Sequence, residues 1–383
     1  MYGIYNINKQ HEEKDLVEYN KITRAFGVNP LHLPLEWDTG FIKSIQRLID
    51  QKPYLKDKKV LFLNHPQFKY HEKSILLFLN RKFKLCDCCH LQHRYAGLNV
   101  RLENVRYILK KDIFRSFYDY VIVNKGLSFL SKNILKIKAH HFIVLFQTTD
   151  IDPVLKNPEI LTKVLNSKKK VTFFNLLKNT LHNIYESDPS LKIKASIHWP
   201  PSLDLFFRVP ENYLFDFLFM GGGGRDYKFV LDNRDLFKGK KVIITHCDAA
   251  RFYTVQSDRD YDKKYLNLLK KIDNFICLNR INENAYCKLL LYSRIILCPF
   301  RRIMGADSTC ISDALWYGKP IITNDVKATY HLKEHAFFIK GPEDFKSILN
   351  KLNDPAYYMK VTRKIMNYAR KEYNIYNLLK LIK

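Results

Sequence analysis

Short apolar runs recur along the first half of the chain and are separated by longer polar or amphipathic stretches. These runs are rich in β-branched and aromatic residues and are too short to be helices of ordinary length. The intervals between them are long enough for helices, a spacing that is typical of a parallel sheet covered on both faces. We therefore predict a first Rossmann-like domain whose strands include residues 60–63, 120–123, 142–146 and 171–174.

A second series of apolar runs follows a break in this pattern. The break lies at residues 199–204, where Pro200 and Pro201 disfavour both a helix and a central strand. Helical patterns at 284–291 and 312–317 lie between the later runs. The predicted fold class is therefore α/β, with two Rossmann-like, doubly wound parallel-sheet domains. The second series comprises residues 214–220, 241–245, 275–278, 295–298 and 320–323.

Domain boundaries follow from these patterns. We predict an N-terminal domain over residues 1–205, with a helix near 15–26, and a C-terminal domain over residues 206–355. Residues 356–383 interleave basic and apolar positions and predict an amphipathic terminal helix. We expect this helix to pack back on the N-terminal domain, and a helix at a membrane surface is the alternative.

Net charge narrows the range of partners. The chain has 383 residues, with 64 Lys and Arg against 38 Asp and Glu, which gives a formal net charge of +26. A field of this sign favours polyanions, including nucleic acid, anionic lipid headgroups and phosphorylated substrates. No run approaches ~20 uninterrupted apolar residues, and the N-terminus lacks the apolar core of a secretory signal. Neither membrane spanning nor export is therefore expected.

The eight cysteines mostly lie within apolar segments, as reduced and buried thiols do. This indicates a cytoplasmic protein, with peripheral contact to the inner face of a membrane as a further option. One cluster, Cys86 to His90 together with His93, has the composition of a metal site. Its residues are crowded into a single run without the paired spacing of a zinc site, so we expect no bound metal.

Two later segments together indicate a nucleotide-sugar site. In the first, residues 217–227, an apolar run ends in four glycines followed by Arg225, which could neutralise a diphosphate close to the backbone. In the second, residues 305–323, Ser308 and Thr309 predict a helix start with N–H groups facing an anion. Asp313 lies one turn further along and could accept hydrogen bonds from ribose hydroxyls. Such a site can hold a nucleotide without a metal.

These features resemble glycosyltransferases of the GT-B fold, most clearly over residues 198–325. The resemblance implies two Rossmann-like domains facing across a cleft, with the acceptor bound by the first domain and the sugar nucleotide by the second. It also implies that no cofactor or bound metal is needed beyond the nucleotide-sugar donor, for which UDP- or GDP-sugars are expected.

Site residues can be carried over position by position from this resemblance. Gly222, Gly223 and Arg225 resemble the diphosphate loop, and Ser308 and Thr309 resemble the amides that cap the distal phosphate or the sugar. Asp313 stands where the family commonly has a ribose-binding glutamate. Arg280 and Ile281 resemble the segment that meets the nucleobase, and Lys319 is a further candidate for the leaving diphosphate, although Gly318 to Pro320 first suggest a structural turn. Gly305 stands where retaining members usually have a glutamate, so the stereochemical outcome is left open.

Transfer also requires that an acceptor hydroxyl be positioned and, for inversion, deprotonated. Two residues follow predicted strands of the first domain at the edge where open α/β sheets bind ligands: His65 and Asp150. Either side chain suits a general base, and either also suits a turn or a helix cap.

The leading interpretation is a glycosyltransferase, with a hexosyl donor favoured, that acts on a glycolipid, polysaccharide or other glycan. A basic first domain would suit work at an anionic surface. One alternative keeps the fold and makes DNA the acceptor, as in base-modifying glucosyltransferases, which the charge would also suit. Another alternative is a non-catalytic module that binds nucleotide or nucleic acid.

Overall fold

The computed structural model divides the chain into two compact units, each built around one sheet. It describes residues 9–36, 38–39, 53–64, 79–80, 83–91, 103–124, 126–145, 157, 159–174, 207–220, 225–246, 256–279, 281, 283–301, 309–324, 329, 332 and 334–373. The first-sheet unit comprises Asp38–Phe206, Met304–Ser312 and Arg370–Lys383. The second-sheet unit comprises Met1–Trp37, Phe207–Ile303 and Asp313–Ala369.

The first sheet has six parallel strands in the order β3-β2-β1-β4-β5-β6. Its strands are β1 (Lys59–Asn64), β2 (Leu85–His90), β3 (Val105–Tyr107), β4 (Phe117–Asn124), β5 (Lys138–Leu145) and β6 (Lys170–Phe174). Helices α2 (Leu127–Asn133) and α3 (Glu159–Leu165) accompany it. On one face Leu61, Val121 and Phe142 pack in the same apolar cluster as Leu130 of α2 and Leu161 of α3. Burial of such a side chain stabilises the fold by roughly 1.5–3 kcal/mol, so this face holds the helices in place.

Strand β2 contains the cysteine-rich run that has the composition of a metal site. Successive side chains of a strand point to opposite faces, so Cys86, Cys88 and His90 lie on one face of the sheet and Asp87 and Cys89 on the other. Burial raises the pKa of Cys89 to about 11 and raises that of Cys86 further. Between them, Asp87 is buried and accepts two hydrogen bonds from Arg106, at 2.8 and 3.0 Å. The polar residue of this strand is therefore paired within the sheet.

The second sheet also has six parallel strands, in the order β12-β11-β10-β7-β8-β9. Its strands are β7 (Phe215–Met220), β8 (Val242–His246), β9 (Phe275–Asn279), β10 (Ser293–Leu297), β11 (Ile321–Asn324) and β12 (Phe337–Ile339). The helices between and after them are α4 (Tyr227–Asp232), α5 (Gln256–Leu269), α6 (Glu283–Tyr292), α7 (Thr309–Trp316), α8 (Pro342–Asn353) and α9 (Pro355–Glu372). Aromatic rings dominate its core, with Phe217, Phe237 and Phe345 in mutual contact.

Both sheets have the same doubly wound order, because the chain starts in the middle, winds to one edge, and then returns to wind to the other. The prediction of two Rossmann-like parallel sheets is confirmed. In such sheets ligands bind beyond the carboxyl ends of the strands, at the point where the winding direction switches. This switch point lies between β1 and β4 in the first sheet and between β7 and β10 in the second.

The N-terminal helix α1 (Lys9–Phe26) belongs to the second-sheet unit, although the sequence-based division gave residues 1–205 to the first domain. Glu18 of α1 accepts a hydrogen bond from the backbone N–H of Asn279 at 2.9 Å. Lys288 donates to the carbonyl of Leu31 at 2.9 Å, and the hydroxyl of Tyr292 donates to a carbonyl shortly after it. These contacts join residues that are far apart along the chain, which local patterns cannot reveal.

The predicted terminal segment, residues 356–383, is divided between the two units. Up to Ala369 it belongs to the second-sheet unit, where the hydroxyl of Tyr358 donates to the carbonyl of Arg294 at 2.7 Å. From Arg370 onward the tail groups with the first-sheet unit, and Arg370 pairs with Asp38 at 3.3 Å. Among the helices within the described ranges, none is long and apolar enough to cross a bilayer.

Candidate functional site

Arg225 lies at the carboxyl end of β7, five residues after Met220, the last residue of this strand. Its side chain is 3% exposed, and its Nε donates to the carbonyl of Met220, the last residue of β7, at 2.9 Å. The guanidinium carbon lies 4.3 Å from the centre of the Phe300 ring. One hydrogen bond and one cation–π contact therefore fix the guanidinium at the switch point of the second sheet.

The ring beneath this guanidinium is itself held in place. Phe300 follows β10, and its backbone N–H and carbonyl both bond the side-chain amide of Asn324, at 2.7 and 2.6 Å. The N–H of Asp226 donates to the carbonyl of Pro299 at 3.0 Å. The chain ends beyond β7, β10 and β11 are thus tied together, so the arginine is positioned before any ligand arrives.

A second arginine lies at the same edge of the sheet. Asp226 caps α4 by accepting the N–H of Phe229 at 3.0 Å, and it also accepts the hydroxyl of Tyr261 at 2.8 Å. Burial, reinforced by this hydrogen bond, raises the pKa of Tyr261. The guanidinium carbon of Arg301 lies 4.2 Å from the centre of the Tyr261 ring. A tyrosine fixed by a carboxylate therefore positions a further cation close to the start of α4.

Asp313, on α7, is linked to the same strand end as Arg225. Its carboxylate is 1% exposed and accepts the hydroxyl of Tyr286 on α6 at 3.0 Å. That hydroxyl also lies 3.9 Å from the sulfur of Met220, whose carbonyl binds Arg225. A chain of contacts through Met220 and Tyr286 therefore links the arginine of the first motif to the carboxylate of the second. The structure brings together the two sequence motifs, while their roles in donor binding stay predictions.

Several predicted site residues lie outside the described part of the chain: His65, Asp150, Gly222, Gly223, Arg280 and Ser308. Thr309 is the first residue of α7, so the predicted helix start is in place. Ile281 is half-buried just beyond β9, at the carboxyl edge of the second sheet. Its role toward a nucleobase stays a prediction.

Lys319 is a correction. Its side chain is fully buried, and its ammonium donates to the carbonyls of Leu291 and of Ser293, the latter at 2.9 Å. Ser293 is the first residue of β10, whereas Phe300 and its bound arginine lie beyond the last residue of that strand. The ammonium therefore lies at the opposite edge of the sheet from the candidate site. Burial holds the pKa of Lys319 well below its usual range, and the residue is an internal cap, not a donor ligand.

The sequence motifs did not point to the residues that support the site. Tyr286, Tyr261 and Asn324 act on Asp313, Arg301 and Phe300 across chain separations that no motif spans. The one available signal was a polar hydroxyl within the apolar helix α6. Across the described ranges, no three His, Cys, Asp or Glu side chains are grouped so that they could hold a metal ion.

Comparison with known proteins places this geometry in a fold family. No family model matches the sequence, and no curated protein matches it. Among solved structures, sucrose-phosphate synthase from Thermosynechococcus elongatus aligns with a TM-score of 0.59 at 8% identity, over 85% of this chain and 97% of that one. The chain has the GT-B fold.

Two further structures are similar over most of their length. A trehalose-6-phosphate synthase aligns with a TM-score of 0.52 at 10% identity, over 81% of this chain and 97% of that one. A glycosyltransferase from Rickettsia africae ESF-5 aligns with a TM-score of 0.51 at 10% identity, over 85% and 96%. The resemblance to GT-B proteins inferred from the sequence is thus confirmed at the level of fold.

Proposed function

We propose that this GT-B protein is a glycosyltransferase that moves a sugar from a nucleoside-diphosphate sugar to a hydroxyl acceptor. The observation that carries the proposal is that Met220, at the switch point of the second sheet, contacts both Arg225 and Tyr286, and that the hydroxyl of Tyr286 binds Asp313. A guanidinium matches a diphosphate and a carboxylate matches ribose hydroxyls, so the pair fits adjoining parts of one donor.

Charge on the leaving diphosphate develops as the glycosidic bond breaks. A guanidinium that is already oriented can stabilise this charge without rearranging during the reaction. Arg225 is oriented by Met220 and Phe300, and Arg301 by Tyr261, so both are suited to this role. In this scheme the arginines supply the positive charge that faces the phosphates, and no metal is required.

The other proposed contacts to the sugar nucleotide are those expected from the sequence. The carboxylate of Asp313 would accept ribose hydroxyls while Tyr286 holds it in place. Gly222, Gly223, Ser308 and Thr309 would offer backbone amides to the phosphates. Arg280 and Ile281 would meet the base of a UDP- or GDP-sugar.

The first-sheet unit would bind the acceptor, with His65 or Asp150 as the base that takes the hydroxyl proton. A glycolipid, polysaccharide or other glycan fits the basic charge of the chain if the reaction takes place at an anionic surface. Transfer of a hexose in the cytoplasm is the specific form of the proposal.

A ligand screen tests this function. Melting temperature and sugar release are measured with UDP-, GDP-, ADP- and CMP-sugars, first for the wild-type protein. The Asp313→Asn variant should lose most of the stabilisation by the preferred donor, while Asp232→Asn, an exposed carboxylate on α4 of the same unit, should keep it. If no nucleotide sugar stabilises the wild-type protein, or if both variants respond alike, the proposed donor site is wrong. Salt-sensitive binding to duplex DNA with base glucosylation would instead identify the acceptor as DNA.

A further inference from the structure

The first sheet ends in a row of polar side chains at its own switch point. Asn64, the last residue of β1, is in register with His90 of β2 on one side and Asn124 of β4 on the other. Residues paired in a parallel ladder share a face, and the side-chain amide of Asn124 donates to Oδ1 of Asn64 at 2.8 Å. The three residues form a terminal polar rung where an open α/β sheet binds its ligand.

This amide pair is buried, and one of its donors is unmet. Asn64 is 0% exposed and Asn124 is 2% exposed. The Nδ2 of Asn64 is inaccessible to solvent and has no hydrogen-bond partner within the structure as described. Buried amide groups are nearly always satisfied, so an unmet donor at a ligand-binding edge indicates a missing oxygen.

The chemistry of that oxygen can be narrowed to a hydroxyl. With the amides as oriented, Asn64 offers a donor, but a reversal of both amides would make it offer a carbonyl oxygen instead. A hydroxyl both accepts and donates, and so it satisfies either arrangement. A phosphate or carboxylate oxygen satisfies only the first.

The surroundings also favour a neutral ligand. On the same face of β1 and β4, Val60, Phe62 and Ile122 are fully buried. An anion placed beside such side chains would lose its hydration without a matching cation on the rung. The rung instead offers two neutral amides and the imidazole of His90, whose ring stacks on Tyr107 at 5.4 Å between centres.

We infer that the terminal polar rung is the acceptor subsite, and that Asn64 and Asn124 bind a hydroxyl of a neutral polyol such as an unphosphorylated sugar. The inference rests on the proposed function, because it assigns the acceptor of that reaction. It also adds positioning residues that sequence motifs did not indicate, directly before the candidate base His65.

The test uses the double variant Asn64→Leu/Asn124→Leu. Replacing both partners of a buried hydrogen bond with apolar groups of similar shape is close to neutral for folding, and here it also removes the unmet donor. We expect a melting temperature equal to or above that of the wild-type protein and unchanged stabilisation by the preferred nucleotide sugar. Transfer to neutral polyols should fall at least about tenfold in kcat/KM, as expected for loss of ligand hydrogen bonds in a buried site.

The acceptor probes are D-glucose, N-acetylglucosamine, myo-inositol and glycerol, with glucose 6-phosphate as the anionic counterpart. Asn104→Ala is the control, because Asn104 bonds Asn80 in the same unit, just before the amino end of β3. That control should lose stability and keep its kcat/KM.

Each outcome separates this inference from the proposed function. If the donor binds but polyol transfer is equal in the double variant and the wild-type protein, the rung is not the acceptor subsite. A clear fall in melting temperature of the double variant would show a purely structural amide pair. Use of glucose 6-phosphate alone, or of none of the polyols, would also overturn the inference, whereas failure of every nucleotide sugar to bind would overturn the proposed function itself.

Discussion

Replacing Arg225 with methionine should weaken donor binding far more than it weakens the fold. The variant keeps much of the aliphatic bulk of the side chain and removes its charge and all of its N–H donors. The contacts that position the arginine within the protein include the hydrogen bond to Met220 and the ring of Phe300. The change therefore removes both the positioning contacts and the proposed phosphate contact.

The magnitudes can be worked out separately for folding and for binding. The hydrogen bond is worth about 0.5–1.5 kcal/mol and the desolvated cation–π contact about 1–2 kcal/mol, so stability should fall by roughly 1.5–3.5 kcal/mol. A hydrogen bond to a charged group contributes about 1.5–3 kcal/mol, so the Kd for a nucleoside diphosphate should rise about tenfold to a hundredfold. Arg225→Lys keeps the charge but lacks the planar guanidinium. Its Kd for the nucleoside diphosphate should therefore lie between those of the wild-type protein and Arg225→Met.

Urea unfolding and titration calorimetry with UDP and GDP separate these two effects. Arg234→Met is the matched control, since Arg234 is exposed in the same unit and should change neither quantity. If Arg225→Met binds the preferred nucleoside diphosphate with the wild-type Kd while its stability falls as expected, Arg225 serves the fold and the phosphate assignment is refuted.

Three further changes test other parts of the account. Tyr286→Phe removes the hydroxyl that anchors the α7 carboxylate. Donor Kd should rise about fivefold, and the urea midpoint should fall because a buried carboxylate loses a hydrogen-bond donor. An unchanged Kd would count against the anchor. Gly318→Ala should destabilise the protein more than Gly239→Ala does. Both glycines have positive φ, but at Gly318 a Cβ would also lie 2.9 Å from the carbonyl oxygen of Thr362. Equal urea midpoints of the two variants would contradict this. Burial lowers the pKa of His141 to about 4, so between pH 6.5 and 4 the unfolded state binds more protons and stability falls with falling pH. His141→Gln should flatten that fall, and an unaltered pH profile of melting temperature would refute it.

The sequence alone was enough to predict the main strands and the order along the chain of the two motifs that form the candidate site. The runs at 60–63, 142–146 and 214–220 became β1, β5 and β7, because strands buried on both faces carry a continuous apolar signal. Strand β2 lacked that signal, since its run contains Asp87. Partners from other strands make such a charge acceptable within a sheet: Arg106, 19 residues away, together with Tyr118 and Lys59.

Contacts between distant residues account for the remaining differences. Helix α1 was assigned to the first domain by its position, yet Glu18 binds the backbone of Asn279, 261 residues later. Lys319 follows a helix that begins near the site, but the turn at Gly318 leads it to the amino end of β10, where it meets two carbonyls. Sequence spacing alone does not show to which edge of a sheet a side chain is carried.

A crystal structure of the protein with its preferred nucleoside diphosphate is the most direct test of the central claim. We predict phosphate oxygens within hydrogen-bond distance of the Arg225 guanidinium and ribose hydroxyls against the Asp313 carboxylate, beyond the carboxyl ends of β7 and β10. A nucleotide bound at any other place on the chain, with these two side chains unengaged, would contradict it.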